Sequence, residues 1–97
     1  LVKKDDEYIL VDFKTSKRIY PDYLIQGSAY RQMIEEKYDY KISKFIVARF
    51  GKDSDEFEAK EFNTDQLDLA FEYFKTLRTA FDQDKNLTKL IKEKKWK

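Results

Sequence analysis

The chain contains no cysteine and no histidine. Disulfides, thiolate zinc sites, thiol nucleophiles, Ser-His-Asp catalysis and imidazole switching are excluded, so any chemistry rests on carboxylates, lysines, tyrosines or hydroxyls. One arrangement of those groups has a defined chemistry: an acidic residue, one spacer, then a lysine. On a strand, positions two apart share a face, so carboxylate and ammonium point to one place. The carboxylate can hold a hard divalent cation through oxygen. The lysine can orient or deprotonate an attacking water, or stabilise charge on a phosphate. The cation supplies the nucleophile and neutralises the transition state, which together is metal-dependent phosphodiester cleavage.

Spacing alone does not select a site. The pattern occurs at Asp12-Lys14, Glu35-Lys37, Asp39-Lys41, Glu58-Lys60 and Glu93-Lys95, about what a chain with 40% charged residues yields by chance. Context separates them. Asp12-Lys14 alone follows a nearly continuous apolar run, Tyr8 to Val11, which puts two charges at the end of a buried strand, where burial is costly unless they are used or paired. The others fall at a helix end, in a loop, on an edge strand and in the tail. A strand-end ion pair without chemistry is the competing explanation for Asp12-Lys14. A second pattern bears on it: Gln26 and Tyr30 lie four apart, on one face of a helix, in the only Gln-x-x-x-Tyr of the sequence.

The elements that must position these residues follow from the apolar pattern. Ninety-seven residues, 41% of them hydrophobic, support one domain and one modest core. Leu1-Val2 and Tyr8–Lys14 read as strands of a hairpin with a polar turn at Asp5-Asp6-Glu7. With the turn centred near Asp6, residues whose numbers sum to about 12 face each other. Pro21 ends the loop after the strand and Asp22 is the expected N-cap of a helix whose apolar side carries Tyr23, Gln26, Ala29, Tyr30, Met33 and Ile34. Ile42 to Phe50 and Phe57 to Phe62 form a second hairpin about the turn Gly51–Asp55. Asn63-Thr64 opens a helix whose stripe Leu67, Ala70, Phe71, Phe74, Leu77, Phe81 is expected to pack on the sheet. Leu87, Leu90 and Ile91 suggest a short further helix after Asp82. The order is β-β-α-β-β-α-(α), an α/β fold with a mixed sheet flanked by helices.

The string Val11–Lys17 followed by Tyr20–Tyr30 resembles the core of the RecB-like nucleases of the PD-(D/E)XK superfamily, in which a D-x-K strand end precedes a helix bearing Q-x-x-x-Y. Ile46–Lys52 resembles the strand that follows that helix, so the likeness covers roughly Leu1 to Phe62. It implies a restriction-endonuclease-like core and a deoxyribonuclease of exonuclease type, dependent on Mg²⁺ or Mn²⁺. It further implies Asp12 as a metal ligand with the Phe13 carbonyl beside it, Lys14 as the catalytic lysine, and Gln26 and Tyr30 placing phosphates or the lysine. Lys17, Arg18 and Arg31 are the expected DNA contacts. The sequence departs from the family in one respect. The family's second Asp lies on the strand paired with D-x-K, and that position falls before Leu1. Residues 1–97 are thus expected to be the C-terminal portion of a nuclease domain, holding half of a metal site and inactive or very weakly active by themselves. A nuclease-like module that binds DNA or protein without turnover is the alternative.

Two other features are weaker. Asp53, Asp55, Glu56, Glu58 and Glu61 lack the spacing of a calcium loop and read as a solvated hairpin. The lysine-rich end with Trp96 reads as a phosphate-touching tail or a frayed helix end. A net charge of +1 excludes a polybasic arm, and no apolar run reaches membrane length. The expected partners are DNA and other protein subunits, with no membrane, and the expected setting is cytoplasmic or otherwise intracellular and compatible with a phage-encoded protein.

Overall fold

The structure, a computed structural model, describes residues 1–94; Trp96 and its flanking lysines lie outside the described residues. The elements are β1 (Val2–Lys4), β2 (Glu7–Thr15), α1 (Pro21–Tyr38), β3 (Ile42–Phe50), β4 (Phe57–Asn63) and α2 (Thr64–Glu93). They form a four-stranded mixed sheet in the order β1-β2-β3-β4, with the helices packed on one another and against the sheet. The α/β class and the mixed sheet agree with the sequence reading.

The two hairpins arise from their turns. Asp5 and Asp6 both adopt positive φ, the geometry that matches a two-residue connection to strand twist. The pairs Val2↔Ile9 and Lys4↔Glu7 therefore sum to 11, one less than expected, because both aspartates occupy the turn. β2 then runs parallel to β3, with Asp12 opposite Val47 and Lys14 opposite Arg49, and α1 is the crossover between them.

Pro21 does more than end the loop. It is the first helical residue of α1, where its missing N–H costs nothing, and Tyr20 is the N-cap. Asp22 thus sits inside the first turn, not at the cap, where its charge complements the helix dipole. α2 is capped as its sequence suggests. The Asn63 side chain accepts from the Gln66 backbone N–H, and the Gln66 side chain accepts from the Asn63 N–H, both at 2.9 Å.

The separate last helix does not exist. α2 continues through Asp82 for 30 residues because no Gly or Pro interrupts it, and pairs such as Arg78–Asp82 keep its polar turns helical. A helix of this length reaches about 45 Å. The longest dimension is 66 Å and the radius of gyration 18.1 Å, against about 12–13 Å for a compact chain of this size. The apolar stripe of α2 therefore meets the core only at its start. Leu67 and Ala70 are buried, whereas Leu77 and Phe81 are exposed and do not pack on the sheet.

The core is Leu10, Ile42, Phe45, Val47 and Leu67, edged by Tyr8, Tyr23, Leu24, Ile34 and Phe62. Gly27 of α1 sits directly on the Phe45 ring, and a methyl group at that position would overlap the ring carbons. Phe45 is fully buried and cannot swing aside. Alanine would gain about 1 kcal/mol of helix propensity over glycine. Overpacking against a locked ring costs typically 1–3 kcal/mol, occasionally more, so the clash should win. Gly27→Ala is expected to lower the urea-unfolding free energy by about 1–2 kcal/mol. Adding Phe45→Leu should change the sign of the alanine's effect. A Gly27→Ala chain more stable than wild type would contradict this packing.

Candidate active site

Tyr8, Leu10, Asp12 and Lys14 alternate onto the helix-bearing face of β2, so the strand leaves its core and arrives at two charges without changing face. The Lys14 Nζ lies 3.2 Å from Asp12 Oδ2. Both side chains are 27% exposed, neither fully solvated nor sealed. The contact is an ion pair and not a directed hydrogen bond: Asp12 Oδ2 is occluded from solvent, and among the described residues no donor is hydrogen-bonded to it.

From α1, Gln26 reaches the same point. Lys14 Nζ donates to Gln26 Oε1 at 3.3 Å. The helix is brought close enough by Gly27, the residue that lets its backbone lie on Phe45. Tyr30, one turn further along, is about half exposed, and no hydrogen bond joins it to Asp12 or Lys14 among the described residues. The structure thus unites Asp12, Lys14 and Gln26 and leaves Tyr30 beside them.

The three expected DNA contacts are placed differently. Lys17 lines an open polar hollow with Ser16, Tyr20, Arg49 and Lys52, next to the strand end. The Arg18 guanidinium lies 5.1 Å from the centre of the Tyr20 ring, and its carbonyl accepts from Ser16 Oγ at 2.8 Å. Arg31 has another occupation. It binds Asp68 of α2 at 2.6 Å and approaches Glu35 at 3.5 Å, while Glu35 accepts from the Ile42 backbone N–H at 2.8 Å. Its guanidinium therefore ties α1 to α2 and to the start of β3.

Two residues of this region were not singled out by spacing. Tyr23 presents its ring to Lys14, with Nζ 5.0 Å from the ring centre. It lies three before Gln26 and hence on the same helix face, a signal present in the sequence but masked by its apolar character. Arg49 is a charge at the end of the buried run Phe45–Ala48, the same position on β3 that Asp12 and Lys14 hold on β2. It is almost wholly buried. Its guanidinium donates to the Ser16 carbonyl at 2.7 Å, to Glu58 at 3.2 Å and to Glu56 at 3.3 Å. Those bonds fasten the loop after β2 to the β3–β4 turn. Glu56 and Glu58, which read as part of a solvated acidic stretch, are two of its partners.

The fit to a divalent cation is partial. Asp12 offers an anionic oxygen without a hydrogen-bond donor, which suits a hard metal. Among the described residues, however, no three Asp or Glu side chains gather at one point. The Lys14 ammonium also shares the space. These residues make one ligand of a cation site and not a complete set.

No family model and no curated protein matches the chain. Among solved structures it resembles the crystal structure of a "Putative exonuclease" from Eubacterium rectale, with a TM-score of 0.59 and 15% sequence identity over 80% of this chain. The likeness is one of fold, and the chain spans 35% of the length of that neighbour.

Replacing Arg49 by methionine keeps its stem and removes its donors. The Ser16 carbonyl and two neighbouring carboxylates would then lose their shared partner. Because both glutamates keep contact with water, a loss of about 1–3 kcal/mol is expected in chemical denaturation. A loss below about 0.5 kcal/mol would place Arg49 among ordinary surface ion pairs.

Proposed function

We propose that this chain forms part of a metal-dependent deoxyribonuclease of the RecB-like PD-(D/E)XK type, acting as an exonuclease. The observation that carries this reading is the meeting of Gln26 with Asp12 and Lys14. A helix residue twelve positions away binds the lysine of the strand motif, one of the two roles that the family resemblance implies for it. The nuclease-like neighbour adds support at the level of fold.

In this reading Asp12 contributes one oxygen ligand to Mg²⁺ or Mn²⁺, with the Phe13 carbonyl beside it. A bound ion of this kind would activate water and offset phosphate charge. Lys14 stands where its ammonium can stabilise charge developing on a phosphate oxygen, and Gln26 fixes the direction of that ammonium. Tyr30 is near enough along the helix to contact a strand of DNA bound there. Lys17 and Arg18 contribute phosphate contacts from the loop, which fix position without reading sequence. Arg31 serves the helix pair in preference to DNA.

A second reading is a nuclease-like module that binds DNA or a protein subunit without turnover. The isolated position of the Asp12 carboxylate favours it. Nothing in either reading calls for a membrane, and no helix among the described residues is long and apolar enough to cross one.

Cleavage assays distinguish the two. In the intact nuclease of which the chain would form part, with Mg²⁺ or Mn²⁺, Asp12→Asn and Lys14→Ala should each reduce hydrolysis of linear duplex DNA by about 100-fold or more. Circular dichroism should stay unchanged, since both side chains lie at the rim of the core. DNA binding with no cleavage by that intact wild-type protein would favour the binding module. A Lys14→Ala chain that cuts at the wild-type rate would overturn the catalytic assignment.

A further inference from the structure

α2 has two apolar sides. The first, with Leu67 and Phe74, turns toward the sheet and ends where the sheet ends. The second runs on to the end of the helix in alternating steps of four and three: Tyr73, Leu77, Ala80, Asp84, Leu87, Ile91. That spacing is the seam of a heptad repeat. Leu69, Phe81 and Leu90 flank the seam, and every charged residue of α2 except Asp84 falls on the outward positions. The large apolar side chains of this side are all exposed, from 44% at Leu77 to 74% at Leu69. From Lys75 onward every described residue of α2 is exposed. Helices in proteins gain most of their stability by packing an apolar side, and this one has nothing to pack on within the described residues.

We propose that this side of α2 is covered by a second copy of the chain, paired antiparallel about a two-fold axis that passes between Arg78 and Thr79. The pairing does not depend on the nuclease reading. In this register the seam is complementary to itself. Leu77 lies opposite the partner's Ala80, Ala70 opposite the partner's Leu87, and Asp84 opposite the partner's Tyr73. The two-fold axis repeats each contact. At the flanks Leu69 meets the partner's Leu90, and Phe74 meets the partner's Phe81. Small residues thus face large ones, and the one seam carboxylate meets the one seam hydroxyl, an acceptor and a donor. A parallel pair would set Asp84 against its own copy, and two carboxylates in an apolar seam are costly. It would also crowd two sheets at one end of the helices. The antiparallel pair puts them at opposite ends, where the partner's Leu87 arrives at the groove between α1 and α2 lined by Leu24, Ile25, Leu69 and Tyr73. The area suffices: seven exposed large apolar side chains at roughly 100 Å² each give about 700 Å² per copy, near the ~800 Å² per partner of a standard interface.

Sedimentation of the 97-residue chain tests the pairing. The chain should associate reversibly to twice its mass of 11.8 kDa. Leu77→Glu puts two carboxylates beside the axis and should weaken association by about 100-fold or more, whereas Lys85→Glu, on the outward side, should leave it within a few-fold of wild type. Leu77 is half exposed in a single copy, so its replacement leaves the core alone. Orientation is read from spin labels, placed singly at Thr79→Cys or Lys89→Cys in a chain that has no other cysteine. Labels at position 79 should lie close together, and labels at position 89 should be separated along the helices by about 30 Å, twice the rise from the axis. A chain that stays monomeric at millimolar concentration overturns the proposal and leaves this side of α2 to a different partner. Association that Leu77→Glu does not weaken overturns it as well. So do short separations at both label positions, the mark of a parallel pair.

Discussion

The closest constraint in this molecule is the absence of a side chain at Gly27. With nothing beyond the α-carbon, the middle of α1 rests against the ring of Phe45, the largest fully buried side chain of the sheet. That contact sets the height of the helix above β2 and β3. Gln26 is the neighbour of Gly27 in sequence and Tyr23 is one turn before it, so the same height brings an amide oxygen and an aromatic ring to Lys14. Interiors pack densely and are not continuously deformable, so a shift of one methyl group at Gly27 would be felt at the lysine. The proposed chemistry and the stability of the core therefore share one contact.

Much of this was legible in the residues. The run Tyr8–Val11 followed by two charges identified the strand end, and the Gln-x-x-x-Tyr spacing identified the helix face that meets it. Gln26 reaches Lys14 as that pattern implies. Other features turn on tertiary facts that local pattern does not carry. The length of α2 followed from the lack of any breaker near Asp82, although its polar turn suggested an end. The hairpin register depended on both Asp5 and Asp6 taking positive φ. Tyr23 looked like core because it is core on one edge, and its ring face is shared with a cation. Arg49 looked like strand. Its role became visible only when the β3–β4 turn brought Glu56 and Glu58 back to it.

The two faces of the sheet differ in kind. The helix-bearing face holds the core and ends in polar groups: Asp12, Lys14 and Arg49. The opposite face carries Ile9, Val11, Ile46 and Ala48 and ends in a row of aromatic rings. Phe13 stacks on Phe50 with ring centres 6.4 Å apart, Phe50 meets Phe57 at a tilt with centres 5.1 Å apart, and Phe13 is 67% exposed. Sheets with parallel pairs are ordinarily covered on both faces.

The central claim is that the end of β2 is a cation-binding, reactive centre and not a structural ion pair. Paramagnetic broadening by Mn²⁺ tests it without reference to turnover. In a titration of the chain followed by amide resonances, Asp12, Phe13 and Lys14 should broaden first, with Gln26 close behind. Asp12→Asn should abolish that pattern. Broadening that begins instead in the acidic stretch from Asp53 to Glu58, or that is indifferent to Asp12→Asn, would contradict the account.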